Sequence, residues 1–160
     1  ENVIDEFSIT KKDQELVLRY FALKNNLNNY KKDLNFFLTN YMEKVTLNEF
    51  DFDYESEKKT FEMVFNYLYD MYGKNAFSSL IDKDSEKYKS DIIMYLYDSL
   101  TCGLALCSDI LVQKDKEKLK VALTELRISQ EFLKTRTGGK ANTEERITMV
   151  GETIKQCPNN

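Results

Sequence analysis

The chain has 160 residues, 42% of them apolar and 31% charged, and a net charge of −4. That length fits one domain able to bury most of its unfolded surface, and that composition excludes a disordered polymer. Histidine is absent, which removes Ser-His-Asp and Cys-His catalytic groups, His-bearing zinc sites and HNH-type nuclease centres.

Residues 13–44 hold two amphipathic helix patterns. Leu16, Tyr20, Leu23 and Leu27 recur at i, i+4, i+7 and i+11. Leu34, Phe37, Leu38, Tyr41, Met42 and Val45 make a fuller stripe of the same period. Asn25, Asn26, Asn28 and Asn29 lie between the two, and asparagine favours turns. Residues 45–52 read as irregular or weakly strand-like. Asp51, Asp53, Glu55 and Glu62 match positions 1, 3, 5 and 12 of a calcium loop, but Ser56 stands where such a loop needs glycine. The segment therefore reads as an acidic connection into a third helix. That helix carries Phe61, Val64, Phe65, Leu68 and Tyr72, with Gly73 as its C-terminal cap.

Asp82, Asp84 and Ser85 are capping types that announce a fourth helix. Its stripe is Ile93, Leu96, Tyr97, Leu100, Leu104, Cys107 and Leu111. Polar residues are scarce over 92–112, so this is expected to be the central, most buried helix. Gly103 within it costs about 1 kcal/mol against alanine, which predicts a neighbour packed closely there. A fifth helix carries Leu119, Ala122, Leu123, Leu126 and Leu133 and ends before Thr137-Gly138-Gly139. A sixth is expected over 142–155, opened by an Asn142/Glu145 capping box and lined by Ile147, Val150 and Ile154. The expected fold is all-α: about six helices packed around one core, an irregular bundle forming a single domain over residues 1–160.

Three cysteines are present. Cys102 and Cys107 are five apart, about 140° around a helix, and cannot form a metal pair on one face. With Cys157 they read as buried small apolar groups in a reducing compartment. No apolar run approaches the ~20 residues of a membrane span, and no signal peptide opens the chain. A cytoplasmic location with no membrane partner is expected. Glu1 is not an initiator, which suggests a fragment of a larger protein.

Most of the ten tyrosines and ten phenylalanines fall on the helical stripes, and core packing explains them; Tyr30, Tyr54 and Tyr88 are the candidates for free rings. Thr137-Gly-Gly-Lys140 is not a Walker loop, since Ala141 follows the lysine. Residues 111–160 carry ten basic and seven acidic side chains, in contrast to the acidic remainder. Lys134, Arg136, Lys140 and Arg146 concentrate there around a Gly/Thr loop that feeds a helix N-terminus, an arrangement suited to phosphate. They are the candidate nucleic-acid contact. Glu144 and Glu145 oppose that reading from the same first turn. No catalytic residue, metal ligand or cofactor site emerges.

The wording of several helices resembles the GmrSD-type restriction proteins, in the helical C-terminal part of their large N-terminal domain. Asp13, Glu15, Leu16, Val17, Leu18, Arg19 and Tyr20 match an acid-x-E-L-V-L-R-aromatic helix. Tyr30, Lys31, Leu34, Phe37, Leu38, Tyr41 and Met42 match the helix that follows it. Tyr72-Gly73-x-x-Ala76-Phe77, then Ile92, Tyr97, Asp98 and Leu100, then Arg146-Ile147 after a Gly/Thr/Asn loop, continue the likeness. Family members carry upstream a ParB-related nucleotide-binding and nuclease-like region with a DGQQR-type motif. Neither that motif nor an F-Q-R segment occurs here. The resemblance thus implies a helical accessory subdomain of an antiphage, modification-dependent restriction protein, supporting domain packing or DNA contact. The chemistry, a nucleotide-dependent DNA endonuclease activity, would reside in the full-length protein. The implied partners are the remainder of its own polypeptide or a restriction subunit, and DNA. The alternative is a free-standing helical module that binds another protein; an enzyme with a helical active site is the weakest reading.

Overall fold

The computed structural model describes residues 11–31, 33–82 and 87–160. Its elements in chain order are α1 (Lys11–Asn26), α2 (Leu34–Thr46), α3 (Tyr54–Tyr72), β1 (Leu80–Asp82), β2 (Lys87–Tyr88), α4 (Met94–Leu106), α5 (Ser108–Leu111), α6 (Lys116–Ile128), α7 (Gln130–Lys134) and α8 (Lys140–Gln156). Short 3-10 turns follow α1 and α3, at Leu27–Asn29 and Gly73–Asn75.

The fold is helical, as the periodicity predicts, but the described residues form eight helices rather than six. The fourth predicted helix breaks at Cys107, whose backbone leaves the helical region and restarts a single turn as α5. The fifth breaks at Ser129. That residue adopts an extended backbone, donates its hydroxyl to the Leu126 carbonyl at 2.8 Å and accepts from the Phe132 N–H at 3.2 Å. It thereby closes α6 and caps α7, the hydroxyl's usual work at a helix N-terminus.

The expected caps of the fourth helix are also corrected. Asp82 ends β1, and Asp84 and Ser85 lie outside the described residues. β1 and β2 pair antiparallel, Leu80 opposite Tyr88 and Asp82 opposite Lys87. The helix begins only at Met94, after the Ile93 N–H has bonded the Phe77 carbonyl at 2.9 Å. Over 45–52 the irregular alternative holds: α2 runs to Thr46, and a turn and irregular chain follow without strand. The last helix starts two residues early. Gly139, at φ 108°, precedes Lys140, and Asn142 spends its amide on the Thr137 hydroxyl at 2.7 Å, so no capping box forms.

α4 lies at the centre, as expected. From Leu96 to Ala105 every residue is buried, and its main neighbours are α8, α1 and α3. Gly103 explains how α8 comes so near. A Cβ placed there would sit 2.6 Å from Val150 Cβ, closer than real carbon contacts allow. Gly73, at φ 55°, ends α3 as the sequence suggests. Asp53 caps the same helix, accepting from the Glu55 and Ser56 N–H groups at 3.1 and 3.2 Å. The acidic connection therefore serves the helix start.

Aromatic rings bind the α1–α3–α4 side together. Tyr20 packs edge-on against Phe61 at 5.2 Å, Phe61 stacks on Phe65 at 4.3 Å, and Phe77 meets Tyr97 at 4.9 Å. The C-terminal residues are fastened rather than loose. The Lys114 ammonium donates to the Lys155 and Cys157 carbonyls at 3.2 and 2.8 Å, satisfying the end of α8.

Candidate functional site

The basic segment divides into two buried or tethered cations and two free ones. Lys134 and Arg136 are exposed and make no ion pair among the described residues. Lys140 donates to the Asn28 carbonyl at 2.9 Å and faces Glu144 at 3.5 Å, so it ties the start of α8 to the α1–α2 connection. Arg146 is only 2% exposed. Its guanidinium donates to the Thr135 and Thr137 carbonyls and to the Thr143 hydroxyl. The structure therefore makes Arg146 the bolt that holds the loop. A surface contact at this loop would rest on Lys134 and Arg136.

Inside the molecule a second charged group forms, which the sequence reading did not assemble. The Arg19 guanidinium of α1 grips the Asp98 carboxylate of α4 with two bonds of 2.5 and 2.6 Å. Both side chains are largely buried. Arg146 of α8 lies close enough to feel the same carboxylate. Burial pushes the Asp98 carboxyl up, and the Arg19 and Arg146 guanidiniums pull it back. Two parallel N–H donors facing two acceptor oxygens are best matched by the ionised carboxylate. Burial likewise opposes the Arg19 charge, but Asp98 outweighs it and holds Arg19 above its usual range. Arg146 is pushed down, first by burial. Its Nε finds no acceptor among the described residues.

Tyr30 completes this neighbourhood from the α1–α2 connection. It is 7% exposed and packs on Phe37 at 5.1 Å, so it is not a free ring. Tyr88 is half-buried and lies against the Arg127 guanidinium. Of the three candidate rings only Tyr54 is open, at 68% exposed.

Tyr54 borders an apolar surface cleft. A cleft of about 520 Å³ opens between α1, α2 and the start of α3. Val17, Leu18 and Phe21 form one wall, Met42 and Val45 another, and Phe52, Tyr54 and Phe61 the third. Val17 and Met42 are 40% and 49% exposed, although both lie in apolar helix patterns. The cleft's charged lining is Glu55, Glu57 and Lys58. A connected apolar surface with a polar rim is the usual form of a contact site.

Among the described residues no group of three or more Cys, Asp or Glu side chains is placed to hold a metal ion. No described helix is long and apolar enough to cross a membrane. No family model matches the chain, and neither the curated proteins nor the solved structures include one detectably similar to it.

Proposed function

We propose that this chain is a helical accessory subdomain of a GmrSD-like antiphage restriction protein, working by domain packing rather than by chemistry of its own. One observation carries the reading. Two segments that resemble that family contribute Arg19 and Asp98, which meet in a buried two-bond ion pair, and a third contributes the buried Arg146, whose charge also acts on Asp98. Packing periodicity accounts for leucine and phenylalanine at matching positions; it does not account for an arginine and an aspartate pairing in a core. A motif that specifies a buried ion network specifies a fold, and a fold is what an accessory subdomain supplies.

The apolar cleft between α1, α2 and α3 is the surface through which packing would occur, and it supports the second reading, a free-standing module binding another protein. The gene separates the two. The first reading expects an open frame that continues upstream of the Glu1 codon to a DGQQR-type motif. An initiation codon immediately before Glu1, with no such motif in a neighbouring subunit, would discard it in favour of the module.

A further inference from the structure

A recess of about 590 Å³ lies along α2 and shares no lining residue with the α1–α2–α3 cleft. The α1–α2 connection supplies Asn29, Lys31 and Asp33, and α2 supplies Phe36, Phe37, Asn40 and Lys44. Positions 33, 36, 37, 40 and 44 follow the i, i+3, i+4, i+7, i+11 period, so the helix sets them on one face. Phe37 is buried and packs on Tyr30 at 5.1 Å, which makes it the floor. Phe36 beside it is an open ring, 71% exposed. A single exposed phenylalanine is ordinary. One set in a recess with a lysine at each end is an aromatic platform flanked by cations. Lys31 precedes the helix and Lys44 lies in its last turn. At a rise of about 1.5 Å per residue the two stand roughly 15 Å apart along the axis.

We propose that this recess docks single-stranded nucleic acid. One unpaired base would stack on Phe36, and the phosphates on either side of it would meet the Lys31 and Lys44 ammoniums. The Asn29 amide nitrogen donates to Asn26 at 2.6 Å, which leaves its carbonyl oxygen for the edge of the base. Three related ligands fit worse. A duplex keeps its base faces stacked on one another, so none is open to Phe36. A free nucleotide carries phosphate on one side of its base and cannot span both lysines. Inorganic polyphosphate has no ring to cover Phe36. Asp33 opposes the docking from the same lining, although one of its oxygens accepts from the Phe36 N–H at 3.0 Å. Two cations against one anion leave a modest attraction, so the contact should be weak and sensitive to salt.

The test is a titration of the isotopically labelled chain at low salt, followed by backbone amide shifts. The ligands are a short oligothymidylate, the same strand paired with oligodeoxyadenylate, thymidine monophosphate and inorganic polyphosphate. The single strand should shift the Asn29, Phe36, Asn40 and Lys44 amides saturably, and the other three should bind there about tenfold or more weakly. Phe36→Ala removes an exposed ring, so the fold should survive while the single strand weakens by about tenfold or more, the scale of one stacked base. Phe36→Tyr should keep the binding. Lys31→Gln with Lys44→Gln should remove a salt slope of up to about 1.4, at about 0.7 per phosphate of a single strand. Phe36→Ala should leave that slope in place. Any of the other three ligands binding as tightly as the single strand, an affinity unmoved by Phe36→Ala, a slope unmoved by the double lysine variant, or no saturable binding would each overturn the proposal.

Discussion

Arg19 and Asp98 carry the strongest prediction at the scale of single residues. Removing one partner of a buried pair leaves the other charged and uncompensated. Asp98→Asn should therefore cost about 3–5 kcal/mol in urea unfolding. Replacing both with apolar groups of similar size, Arg19→Met with Asp98→Leu, should recover most of that loss; a double variant as weak as the single would show that the ion pair is not the cause. Cys102 gives a second prediction. It is fully buried near Asp98, and burial pushes its thiol up to about 12. Cys107 and Cys157 are raised for the same first reason. Ellman's reagent at neutral pH should react slowly with the native chain and rapidly with all three thiols in concentrated urea. Rapid native reaction at Cys102 would contradict the packing around α4. The burial of Arg146 was legible in principle. Thr143, Arg146, Ile147, Val150 and Ile154 form an i, i+3, i+4, i+7, i+11 stripe, and all are buried. Charge alone had assigned Arg146 to the surface, and a pairwise reading of neighbours cannot see a carboxylate forty-eight positions away in sequence.

At the scale of elements, the α4–α8 contact depends on Gly103. Gly103→Ala should drive Val150 out of place and cost about 1–3 kcal/mol, the range for overpacking. Val150→Ala in the same chain should relieve part of that cost, so the two changes should be clearly non-additive in a double-mutant cycle. Additivity would mean that α8 does not approach there. Asp115 makes a different case. It caps α6 by accepting from the Lys118 N–H at 3.1 Å and pairs with the Lys118 ammonium at 2.9 Å. The Lys118 side chain first, then its backbone N–H, holds the Asp115 carboxyl below its ordinary value. A depressed carboxyl adds stability above its unfolded pKa and loses it as pH falls through the folded one. The gap in urea midpoint between wild type and Asp115→Asn should thus be open at neutral pH and close below about pH 4. A gap unchanged in acid would remove the charge from the explanation. Helix number was misread because Ser129 and Cys107 break stripes whose apolar period continues across them. The hairpin was misread because two- and three-residue strands are too short for alternation to register, and Asp82 is as good a strand-end residue as a cap.

For the whole molecule, charge and shape point in different directions. The loop that sequence singles out retains two exposed cations, Lys134 and Arg136. Each phosphate neutralised contributes about 0.9 to the salt slope, so duplex DNA binding through that loop should show a slope no steeper than about 2. Lys134→Glu with Arg136→Glu should flatten it; an unchanged affinity and slope would leave the loop as a connection. The apolar cleft is the larger feature, and its walls come from three helices. No single stripe reveals it: Tyr54 is legible as a free ring, but Val17 and Met42 look like ordinary core or boundary residues until α1, α2 and α3 are set side by side. We propose that the chain serves an antiphage restriction protein by packing through this cleft. The most direct test is phage plating on cells that carry the full-length protein, wild type or with Met42→Glu and Tyr54→Glu together. Both residues are exposed, so thermal unfolding of the variant chain should be unchanged. The wild type should protect against phages with modified DNA and the variant should not; protection that survives the double substitution, or none from the wild type, would rule the proposal out.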